Sequence, residues 1–69
     1  MSPEVWTVIG VWLNDKPIVV GMVRGEHRVY GDDSPAFEHG HWAVWVRAVT
    51  WMDAATLAEY EMRKHLADQ

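Results

Sequence analysis

Residues 5–13 read VWTVIGVWL, and apolar side chains occupy both alternating sets of positions. Val5, Ile9, Val11 and Leu13 flank Thr7 on one side, and Trp6, Val8 and Trp12 flank Gly10 on the other. β-Branched and aromatic residues at this density suit a pleated surface better than a helix. The pattern returns in residues 17–24, where Ile18, Val20 and Met22 oppose Val19, Gly21 and Val23. It returns again in residues 41–50, where Trp42, Val44, Val46 and Ala48 oppose Ala43, Trp45, Arg47 and Val49. An antiparallel sheet with one wet face alternates apolar and polar residues. These three strands do not, so both faces of their sheet need cover.

Only one further segment is built to supply it. Residues 54–67 are rich in helix formers, with Ala54, Ala55, Ala58, Met62 and Leu66 on one face and Glu59 and Arg63 four apart on the other. Asp53 is the expected N-cap, because its carboxylate can accept from first-turn amides that have no helical partner. Asn14-Asp15-Lys16-Pro17 marks a tight turn between the first two strands. Gly25-Glu26 marks a second, leading into a short strand over residues 27–30; a bulge at Gly25 is the alternative. Residues 31–40 (GDDSPAFEHG) have the composition of an exposed loop, and residues 1–4 form a tail. The order predicts one α+β domain over residues 1–69: a small antiparallel sheet of three to four strands with one C-terminal helix packed on one face.

Size sharpens the problem. A chain of 69 residues buries only about 60% of its unfolded surface, and with no cysteine it has no disulfide to compensate. The helix presents small residues, so it is expected over the aliphatic set Ile9, Val11, Leu13, Val44, Val46 and Ala48. That arrangement leaves Trp6, Trp12, Trp45 and Trp51, with Arg47, on the opposite face as the interaction residues. Four indoles at roughly 150–250 Å² each make a patch of roughly 600–1,000 Å², comparable to the roughly 800 Å² per partner of a specific interface. Self-association covers it most simply, as a twofold dimer with sheets face to face or edges joined, or as a higher oligomer. The alternative is that the loop of residues 31–40 folds over the second face and makes the tryptophans an ordinary core.

Charge excludes other classes. The net charge is −4, balanced through Gly31 and acidic beyond it, and Arg24, Arg28 and Arg47 are isolated. No basic stripe exists to neutralise phosphates, so direct nucleic-acid binding is disfavoured. A stacking platform for single strands and an acidic nucleic-acid mimic remain as alternatives, as does a structural assembly component. No apolar run approaches the roughly 18 residues of a membrane span, and the N-terminus lacks the features of an export signal, so the expected location is the cytoplasm of a bacterial cell.

Candidate chemistry is thin. His39 and His41 are two apart and would point to one side of an extended segment, with Glu38, Asp32 or Asp33 nearby as oxygen donors. Loops collect such residues in any case, and no metal site is assigned. Glu61 and His65 are spaced as a surface helix pair. Ser34 has no nucleophile-elbow context, and the single glycines build no phosphate loop. No catalytic residue or cofactor is therefore assigned, and the expectation is a protein that is not an enzyme.

The runs Val8-Ile9-Gly10-Val11-Trp12, Ile18-Val19-Val20-Gly21-Met22-Val23 with Gly25-Glu26-His27, and Trp42-Ala43 through Val46-Arg47-Ala48 into Ala54-Ala55 and Ala58 carry a likeness. In pattern the chain resembles small accessory proteins of actinobacteria and their bacteriophages. The resemblance implies a small phage-type accessory protein that acts by contact with a host protein, and it brings no catalytic motif.

Overall fold

Two tight turns set the registers of the sheet. In the computed structural model, which describes residues 2–31 and 33–67, strand β1 (Glu4–Leu13) turns through Asn14 and Asp15 into β2 (Lys16–Arg24). Both turn residues hold positive φ, 52° and 63°, the combination whose twist matches the flanking strands of a two-residue hairpin. His39 and Gly40 repeat the device at φ 49° and 80°, joining the three-residue β3 (Ala36–Glu38) to β4 (His41–Ala48). Helix α1 (Trp51–Ala67) follows. The four strands form one antiparallel sheet in the order β2-β1-β4-β3, so the fold class is the α+β architecture expected from the sequence.

Three local readings change. Ala36–Glu38 is a strand inside the segment read as a loop; three residues are too few to show alternation, and the turn residues beside them dominate the composition. Residues 27–30 form no strand. The helix begins at Trp51 rather than Ala54, and its cap is Thr50. The Thr50 hydroxyl accepts from the Asp53 amide at 3.2 Å, and the Thr50 carbonyl accepts from the Ala54 amide at 3.0 Å. Asp53 instead sits in the first turn, where its charge favours the helix N-terminus.

The larger correction concerns the faces. Trp6 lies opposite Val46, Val8 opposite Val44 and Gly10 opposite Trp42, so the even-numbered sets of β1 and β4 share a face. Trp6, Val8, Trp42, Val44, Val46 and Ala48 pack against Ala54, Ala58 and Met62 of the helix, with Trp12, Val19 and Met22 around them. The helix thus covers Trp6 and Trp12, not Ile9, Val11 and Leu13. A one-residue slip in register exchanges whole faces, and with both sets apolar the strand patterns alone do not distinguish the two registers.

Geometry shows why this register is favoured. A Cβ on Gly10 would run into the indole of Trp42 and the carbonyl oxygen of Ile18, so the missing side chain is the seat of that ring. Trp42 Nε1 donates to the Val11 carbonyl at 3.0 Å, and Trp6 Nε1 donates to the Ala48 carbonyl at 2.9 Å. Each buried indole satisfies its one polar atom inside the sheet. Small Ala54 and Ala58 let the helix sit close over these large rings, which is the large-against-small packing a dense core requires.

Candidate interaction surfaces

The topology itself treats the second face unevenly. Strands β2 and β3 are the two edges of the sheet, so the chain between them has to pass over β1 and β4. The contacts of residues 25–31 and 33–35 put this connection on the face away from the helix. Thr7, opposite Trp45 in the register, is fully buried. Its hydroxyl donates to the Gly25 carbonyl at 2.7 Å and accepts from the His27 amide at 2.9 Å. Trp45 Nε1 donates to the His27 carbonyl at 2.8 Å, and the Trp45 amide donates to the Ser34 hydroxyl at 2.7 Å. Tyr30 stacks on His41 with ring centroids 6.4 Å apart. The connection is a strap, tied down on Thr7, Trp45 and His41.

Beyond the strap the face is open and aliphatic. Ile9 and Val11 are half-buried, while Leu13, Ile18 and Val23 are 60%, 39% and 44% exposed. Ile18 is opposite Val11 and Val23 opposite Thr7, so these side chains share the outer face. Val20, 62% exposed, lies beside them where the β1–β2 register shifts between Ile9 and Gly10. The bulge and the charged ends Lys16 and Arg24 blunt the free edge of β2 against strand addition. Among the described residues of β1 and β2, none between Leu13 and Val23 on this face is charged; Lys16 lies at its corner.

The five residues read as an interaction set therefore do not form one surface. Trp6 is 6% exposed and belongs to the core. Trp12 is half-buried on the helix side and stacks on Phe37 with centroids 6.4 Å apart. Trp45 and Arg47 do lie on the outer face, Trp45 as a clasp of the strap and Arg47 exposed beyond it. Trp51 is 62% exposed at the start of the helix, beside exposed Val49 and Met52. Ile18 and Val23 are outer-face residues that the sequence reading left unassigned; Leu13, expected under the helix, joins them on this face, and Val20 is exposed at the bulge beside them. Strand β2 is apolar on both sides and had no assigned cover, but simple alternation puts Ile18 and Val23 on opposite sides; the register shift at Val20 brings them onto one face.

The remaining candidates resolve into structural roles. The Ser34 hydroxyl is used on the Trp45 amide. His65 meets the edge of the Phe37 ring at 6.1 Å, whereas Glu61 borders a shallow groove with Trp45, Val46, Arg47 and Leu57, so the helix pair has no common target. His39 Nε2 lies 3.5 Å from Glu38 Oε1 on the exposed β3–β4 turn, and His41 is engaged with Tyr30. Among the described residues no group of three or more His, Asp or Glu is placed to hold a metal ion, and no helix is long and apolar enough to cross a membrane. Asp32 lies outside the described residues. Comparison with family models, curated proteins and solved structures gives no match.

Proposed function

We propose that this chain is a non-enzymatic protein-interaction module that self-associates through the open half of its outer sheet face. The observation that supports the reading is the exposure of Leu13, Ile18, Val20 and Val23 beside the half of the face that the strap crosses, on a sheet whose other face is covered by the helix. Together they leave the equivalent of about two aliphatic side chains in water, or about 3–6 kcal/mol of burial per copy at about 1.5–3 kcal/mol each. A twofold contact collects that term from both copies, about 6–12 kcal/mol against an association cost of about 4–15 kcal/mol. The two terms are of the same size, so the dimer proposed here is a weak one, populated only at high concentration. A phage-type accessory role, suggested by the sequence likeness, is the proposed context.

Sedimentation equilibrium across about 10–300 μM, the range where an association free energy of about −5 to −7 kcal/mol is read, tests the proposal. The wild-type chain is expected to move from monomer to dimer, and Ile18→Asp to stay monomeric. A wild-type chain that remains a monomer throughout overturns the reading. The exposed corner of Val49, Trp51 and Met52 favours a second contact, with a host protein. Loss of host-protein capture in Trp51→Ala with the dimer intact is the expected sign of it.

A further inference from the structure

The hairpin end of the sheet carries a cleft on the helix side whose chemistry differs from that of the outer face. Phe37 stands opposite Trp42 in the register, and Trp12 lies two positions beyond Gly10, the seat of the Trp42 ring. Both rings are therefore on the helix face, where they stack with centroids 6.4 Å apart and planes 10° apart. His65, in the last turn of α1, makes a T-shaped contact with Phe37 at 6.1 Å, yet Phe37 is 44% exposed. The β1–β2 turn brings Asp15 to the same place. Trp12, Asp15, Phe37 and Leu66 line one cleft of about 300 Å³, at the lower end of the roughly 300–1,000 Å³ of small-molecule sites.

This lining selects by charge and by hydrogen bonding. Aromatic faces attract a cation held within about 6 Å of the ring centroid, and two nearly parallel rings present their faces in a common direction. Asp15 is the charged side chain of the lining, and among the described residues it makes no ion pair. A primary ammonium brings three N–H donors that need acceptors, and the side chains of Trp12, Phe37 and Leu66 offer none. A quaternary ammonium has the charge without the donors, inside an apolar shell. We propose that the cleft binds a methylated ammonium group, its N-methyl groups against Trp12, Phe37 and Leu66 and its charge facing the Asp15 carboxylate. The site lies across the sheet from the aliphatic patch, so it stands or falls independently of self-association.

Choline chloride is the probe, titrated into the full-length chain at constant ionic strength and followed by NMR. The Trp12 indole and the amides of Asp15 and Phe37 are expected to shift along one saturable curve. The uncharged isostere of choline, with carbon in place of nitrogen, is expected to bind about fivefold more weakly or worse, as two partly exposed cation–π contacts imply. Phe37→Leu and Asp15→Asn are each expected to weaken choline binding at least about threefold. Asn tolerates the positive φ of 63° at residue 15; far-UV circular dichroism checks the fold, and Phe37→Met replaces a Phe37→Leu chain that is not folded. A peptide carrying trimethyllysine that binds more tightly than choline places the ammonium on a protein chain, and one that binds more weakly places it on a free small molecule. Equal affinity for the isostere overturns charge recognition. Resonances unmoved up to about 10 mM choline, the regime of very weak binding, or shifts that survive both variants, overturn the site.

Discussion

The two faces of the sheet are built from nearly the same residue types and meet different fates. The helix side holds Trp6, Val8, Trp42, Val44 and Val46 against Ala54, Ala58 and Met62, and all are buried. The outer side holds Val5, Thr7, Ile9, Val11, Trp45 and Val23, and burial there ranges from complete at Thr7 to about half lost at Val23. Hydrophobicity does not set the difference; what crosses above each face does. An amphipathic helix supplies a continuous apolar stripe, whereas a connecting strap brings backbone amides and carbonyls that must be satisfied. The outer face answers those with Thr7 and Trp45. It is held by hydrogen bonds where the strap passes and uncovered where it does not.

The largest expected effect tests the helix side. Gly10→Ala places a methyl group where the Trp42 indole and the Ile18 carbonyl already are, and one of those atoms is backbone. Neither can yield without moving the β1–β2 register or expelling the core's largest ring. Overpacking alone costs about 1–3 kcal/mol, and displacing a buried Trp costs about 3–5 kcal/mol by analogy with its truncation. A small domain has little more than that in reserve. Urea or thermal unfolding is expected to show a chain largely unfolded at 25 °C; a cooperative transition near the wild-type midpoint would refute the seat.

The second effect belongs to the outer side and is intermediate. Thr7→Val keeps the shape of the side chain but removes the hydroxyl that serves the Gly25 carbonyl and the His27 amide. Leaving buried polar groups unpaired costs about 1–3 kcal/mol. Because the loss falls on the strap and not on the core, it is expected mainly as strap opening. Hydrogen exchange should accelerate at residues 25–28 by about tenfold or more, equivalent to about 1.4 kcal/mol, while amides of β1 and β4 stay protected. Equal acceleration throughout the sheet would mean that the two faces are not independent.

The sequence made the strands legible because their composition leaves no other element, and it made the C-terminal helix legible because Ala-rich spacing leaves one face small. It places the helix cap three residues late, at Asp53, because Thr50 reads as the end of a strand; the bond from the Asp53 amide to the Thr50 hydroxyl makes Thr50 the cap. The faces were not legible for a deeper reason. Alternation identifies a buried face by contrast, and β1 and β4 offer none. The deciding residue was Gly10, whose absence of a side chain accommodates Trp42 directly across the strand pair. A covering loop was foreseen only as the alternative in which residues 31–40 fold over the second face; the chain that crosses it is residues 25–31 and 33–35, because its path follows from strand order, and strand order rested on recognising Ala36–Glu38 as an edge strand.

The smallest expected effect is the most discriminating, because it separates folding from association at one residue. Ile18 sits one strand away from the core, opposite Val11, with its side chain partly in water. If the outer patch contributes mainly to contact between copies, Ile18→Ser measured where the chain is monomeric should cost only about 1 kcal/mol of folding stability, the part of the side chain the monomer already covers. Measured at about 300 μM, the same variant should lose the extra stability that dimerisation confers by mass action. The wild-type unfolding midpoint should therefore rise with concentration and that of Ile18→Ser should not. Parallel behaviour of the two chains would mean that Ile18 stabilises the monomer fold, and that the two faces differ in degree of cover rather than in what they are for.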